Sequence, residues 1–66
     1  MKNMYKLHLT KEDGSKIYNK NILAEDEEDA VYRWATIFNI NHTGICQSQS
    51  GDWNWLGDGI EVELIK

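Results

Sequence analysis

Only one stretch of the chain repeats its apolar residues with the period of a helix, and alternating stretches lie on both sides of it. In residues 24–40, AEDEEDAVYRWATIFNI, one broad face carries Ala30, Val31, Trp34, Ala35, Ile37 and Phe38. Tyr32, Arg33 and Thr36 fall on the other face. Asp26 is a good N-cap, and Asp29 three residues on makes an imperfect capping box. The run Asn-Ile-Asn-His-Thr-Gly at 39–44 supplies turn formers, so the helix is expected over about 26–39. A single amphipathic helix must bury its face against something else, and strands are all that remain.

The strands read from alternation. Tyr5, Leu7 and Leu9 alternate with Lys6, His8 and Thr10 in residues 4–10, the period of a half-buried strand. Glu12-Asp13-Gly14 makes a turn. A three-residue loop with Gly14 in the left-handed region sets Leu9 opposite Ile17, and a two-residue Asp13-Gly14 loop sets it opposite Tyr18. The first suits Ile17, the more committed core residue. A weaker second strand follows at 17–23. After the helix come a short polar strand at 45–49, a tight turn at Ser50-Gly51 and a strand at 53–56. Gly57-Asp58-Gly59 is expected to turn the chain again, and Ile60, Val62 and Leu64 then alternate with Glu61 and Glu63. The expected fold is α+β. It is a single two-layer β-β-α-β-β-β domain over 1–66, with one helix packed on one face of a small antiparallel sheet.

Length sets the next constraint. With 66 residues the chain is one domain at most, and a domain this short needs a staple. Cys46 is the only cysteine, so an internal disulfide is excluded. Three Trp, three Tyr and one Phe offer large buried area instead. No apolar run approaches the roughly 20 residues of a membrane helix. The opening MKNMYKLHLT has no long apolar segment of a secretory signal, so a cytoplasmic protein is expected.

The formal net charge is −4, which argues against nucleic-acid binding driven by the phosphate backbone. Lys2, Lys6, Lys11, Lys16 and Lys20 lie in the first third, so a modest basic patch on the N-terminal hairpin is the alternative. In that case Tyr5 or Tyr18 would stack on bases. DWNWLGDGIEVE, residues 52–63, places Asp52, Asn54, Gly57 and Glu63 where a calcium loop wants its first, third, sixth and twelfth residues. Leu56 stands where the fifth ligand belongs, and Glu63 falls on a strand rather than a helix. A hairpin is expected there instead. His8, His42 and Cys46 are the only soft metal ligands, and their spacing matches no structural zinc site. No metal, cofactor, phosphate loop or catalytic group is expected.

Two features point to a partner. Glu25-Asp26-Glu27-Glu28-Asp29 exceeds what capping a helix requires, so Glu25, Glu27, Glu28 and Asp29 are candidates for a negatively charged docking surface. Trp53 and Trp55 project from one face of a short strand. Facing the helix, they staple the core; facing outward, they form a binding patch. The expected function is a non-enzymatic interaction protein docking on a macromolecule, with a basic, nucleic-acid-binding protein as the partner. Pairing of free sheet edges into a homodimer is a further expectation. Small size, acidity and a usage rich in Lys, Asn and Ile resemble the small accessory and inhibitor proteins of phages and mobile elements.

Overall fold

The computed structural model describes residues 2–65. The chain runs β1 (Asn3–Thr10), β2 (Lys16–Ala24), α1 (Glu27–Ile37), a 3-10 turn (His42–Gly44), β3 (Ile45–Gln47), β4 (Trp53–Trp55) and β5 (Asp58–Ile65). The five strands form one antiparallel sheet in the order β2-β1-β5-β4-β3, and α1 packs on one face of it. This is the two-layer α+β domain that the periodicities call for.

The β1–β2 hairpin closes through the three-residue loop, with Leu9 opposite Ile17 and Gly14 at φ 87°. Lys11 N–H donates to Ser15 C=O at 2.8 Å, and Gly14 N–H donates to Lys11 C=O at 2.9 Å. The β3–β4 hairpin repeats that turn. Ser48 N–H donates to Asp52 C=O at 2.8 Å, Gly51 N–H donates to Ser48 C=O at 3.0 Å, and Gly51 has φ 94°. The third hairpin departs from expectation. Trp55 pairs with Asp58, so the loop is Leu56-Gly57, with both residues at positive φ, and Asp58 and Gly59 belong to β5. Two successive positive φ values give the primed turn that matches strand twist.

The register between β1 and β2 slips once, between Leu7 and Leu9. Leu7 faces Lys20 while Leu9 faces Ile17, so β2 carries one extra residue there, a β-bulge. Tyr18 takes φ 58° at the bulge. The extra residue changes which parity faces inward. Ile17 before the bulge and Ile22 and Ala24 after it all turn toward the helix.

Both ends of α1 are closed. Asp26 accepts from Asp29 N–H at 2.8 Å, and Asp29 reaches back to accept from Glu25 N–H at 3.0 Å. The capping box therefore closes on the residue before the cap. The helix stops at Ile37, two residues short of the expected end, because Asn39 enters the left-handed region at φ 61°. Ile40 N–H then donates to Ala35 C=O at 2.8 Å and Asn39 N–H to Thr36 C=O at 3.2 Å, a Schellman motif that buries Ile40.

The core joins Tyr5, Leu7 and Leu9 of β1 to Ala30, Val31, Trp34 and Ala35 of α1, with Ile22, Ile45, Trp53 and Ile60 around them. Trp34 is fully buried, and its indole N–H donates to the C=O of Tyr18 at 2.6 Å. The bulge thus turns a backbone carbonyl into the partner that a buried indole needs. A buried aromatic of roughly 200 Å² is worth about 5 kcal/mol at 25 cal/mol per Å². That is comparable to the 2–4 kcal/mol typical of a disulfide. Two residues of the helix break the expected division of faces. Ile37 is 54% exposed, because β2 is the last strand and Ile37 projects beyond it. Tyr32 is half-buried, with its ring edge-on to Trp53. Leu64 shares the inner face with Tyr5 yet stays exposed, since α1 lies chiefly over β1 and β2.

Candidate interaction surface

Within the acidic run the five carboxylates have different roles. Asp26 caps the helix. Asp29 is held by its neighbours, accepting from Glu25 N–H and from Arg33 Nε at 2.9 Å. The Glu25 amide, and then the Arg33 guanidinium, hold its carboxyl below the ordinary value of 3.8. Glu25, Glu27 and Glu28 are exposed on the first turn and the segment leading into it. Thus Asp29 has a structural task, and the glutamates lie at the surface.

The sheet order brings a further carboxylate to this turn. Glu27 of α1 and Asp52 of the β3–β4 loop line one hollow of about 80 Å³, floored by Trp53 and residues 60–62 of β5. Ser50 Oγ donates to Asp52 Oδ2 at 3.0 Å, and Asp52 N–H donates to Ser48 Oγ at 3.1 Å, which fixes the loop that carries Asp52. Glu61 and Glu63 both project from the outer face of β5, across from His8 and Lys6. Asp58 lies at the start of β5, opposite Trp55.

Trp53 and Trp55 face the helix side. Trp53 is buried with Ile60 as its cross-strand neighbour, and Trp55 is half-buried against the core. Trp55 lies over Gly44, where a Cβ would come within 2.8 Å of its indole nitrogen, so only glycine fits at that position. Both rings therefore contribute to holding β4 and β3 onto the domain.

His8 lies on the outer face of β1 opposite Glu61, Cys46 on β3 opposite Asn54, and His42 beside Thr36 at 3.1 Å and edge-on to Tyr32. Among the described residues no three His, Cys, Asp or Glu side chains stand together as a metal site. The four residues that suggested a calcium loop are likewise spread over a loop, two strands and a turn. Tyr5 lies in the core, and Tyr18 packs on Trp34 and Phe38. Among the described residues no helix is long and apolar enough to cross a membrane.

Comparison with protein-family models, curated proteins and solved structures found no match.

Proposed function

We propose that this chain is a small, non-enzymatic cytoplasmic interaction protein that docks on a basic, nucleic-acid-binding protein through its acidic surface. The observation that supports this reading is the meeting of Glu27 of α1 and Asp52 of the β3–β4 loop on one hollow, next to the exposed Glu28 of the same helix turn. Carboxylates from distant parts of the sequence reinforce one another's field there. Such a field speeds encounter with a cationic partner and orients it.

The test uses a lysine- and arginine-rich peptide as probe. Glu27→Gln and Glu28→Gln together are expected to weaken binding about five-fold at low salt, since each exposed charge contributes roughly 0.2–1 kcal/mol. Wild-type affinity should fall as salt rises, and the variant should stay folded. Equal affinity of the double variant and the wild type contradicts the proposal.

A second reading has one observation in its favour. Lys6, His8, Lys16 and Asn19 line a groove of about 390 Å³ on the outer face of the sheet, where a nucleic-acid backbone would be expected to bind. Glu61 and Glu63 line the same groove and offset its charge. A mobility shift with single-stranded oligonucleotides at low salt decides between the two readings.

A further inference from the structure

Among the described residues the sheet ends at β2 on one side, and β2 pairs only with β1. In an antiparallel edge strand, alternate residues turn both N–H and C=O to the open side, where nothing in the sheet meets them. Beyond the bulge, residues 20–24 run regularly beside α1. Between this segment and the second half of the helix lies a groove of about 430 Å³. Its apolar lining comes from Ile22, Leu23 and Ile37, and its cations are Lys20 and Arg33. Ile37 on the helix side and Leu23 on the outer face of the same edge are about half exposed, at 54% and 51%, so a strand added there meets an aliphatic side chain on each face.

We propose that this groove receives an extended, acidic segment of another polypeptide, which joins the sheet as a sixth strand along residues 20–24 of β2. Three features select that occupant. The open backbone of β2 is satisfied by another backbone in extended form, the basis of recognition by strand addition. On the helix side of an added strand, one side chain falls between Ile22 and Ile37 and should be apolar. Its neighbour two residues along falls by Lys20 and Arg33 and should be a carboxylate, since successive residues of a strand alternate faces. Arg33 engages Asp29 through Nε, and a guanidinium carries five N–H donors, so it has capacity for a second carboxylate. A second copy of β2 is the wrong occupant, because within that strand it carries two lysines and no carboxylate to meet Lys20 and Arg33. The groove shares no lining residue with the acidic hollow, so this inference stands apart from the proposed function.

The experiment is an NMR titration of the full chain with a blocked peptide of about eight residues. The peptide alternates threonine with, in turn, valine and glutamate. Saturable shifts are expected at residues 20–24 and at Arg33, Thr36 and Ile37, with alternate amides of residues 20–24 exchanging about ten-fold more slowly. A peptide with lysine for glutamate should bind at least about five-fold more weakly, and Lys20→Glu should reverse that order. N-methylation of alternate peptide nitrogens should abolish binding, because it removes the donors a strand needs. The proposal is overturned by an absence of shifts at millimolar peptide, by shifts on another surface, or by indifference to N-methylation or charge. Concentration-dependent self-association through β2 also overturns it.

Discussion

Two aromatic clusters flank α1, and they are built differently. On one side Trp34 meets Tyr18 and Phe38 with ring centroids 6.3 and 6.0 Å apart, and its indole N–H donates to the Tyr18 carbonyl. On the other, Tyr32 lies edge-on to Trp53 at 6.2 Å and to His42 at 5.2 Å. There the indole nitrogens of Trp53 and Trp55 are buried and have no hydrogen-bond partner among the described residues. The first cluster couples ring packing to a backbone hydrogen bond, and so ties the helix to the bulge of β2. The second adds only ring contact to the strand pairing that ties β4 and β3 to the sheet. Aromatic volume stands in for disulfides on both sides, but only one side also specifies the backbone geometry beneath it.

The comparison can be broken most severely at Trp34. Trp34→Ala removes the largest fully buried side chain and is expected to cost about 3–5 kcal/mol. That is a large part of the 5–15 kcal/mol available to a whole domain, so urea unfolding should show a strongly lowered midpoint. A native-like midpoint would show that the bulge and helix are held by something else.

The third hairpin sharpens the comparison in the opposite direction. Leu56 holds φ 51° at the hairpin tip and is 74% exposed, so strain there is offset by little burial. Leu56→Asn creates the Asn-Gly pair that a primed turn favours and should stabilise the chain by up to about 1 kcal/mol. A lower melting temperature would mean that the contact of Leu56 with the segment around Gly44 outweighs the strain.

The smallest effect is electrostatic. The carboxyls of Asp29 and Asp13 are both held below their ordinary value, Asp29 first by the Glu25 amide and Asp13 first by the Ser15 hydroxyl. A carboxyl whose folded-state value is depressed stabilises the fold fully above its unfolded value. That contribution is lost as pH falls through the folded value. Stability should therefore decline below about pH 4, and Asp29→Asn should flatten part of that decline. Superimposable acid profiles of the variant and the wild type would remove Asp29 from the account.

Much of this fold was legible because periodicity reports burial directly. The inward set of β1, the core stripe of α1 and the three-residue loop at Gly14 all followed from it. The bulge was missed, although the chain carries its sign: Ile17 is inward at an odd position, and Ile22 and Ala24 are inward at even ones. A parity switch within one strand requires an extra residue. The Leu56-Gly57 turn was missed for a physical reason. Leucine disfavours positive φ, and Gly57-Asp58-Gly59 offered better local turn chemistry. The exposure of Ile37 depends on how far the sheet extends, and a helix stripe does not report that. The candidate surface was half legible. The acidic run marks a helix start, but its meeting with Asp52 depends on β5 lying between β1 and β4, which follows from long-range pairing.

The contrast between the clusters is tested most directly by urea unfolding of Trp34→Phe and Trp53→Phe side by side. Both variants keep an aromatic ring and lose similar volume. Only Trp34→Phe also removes a hydrogen bond to a backbone carbonyl, a further loss of about 0.5–1.5 kcal/mol. The account predicts that Trp34→Phe is the less stable variant by about that amount. Equal stabilities, or a greater loss at Trp53, would contradict it.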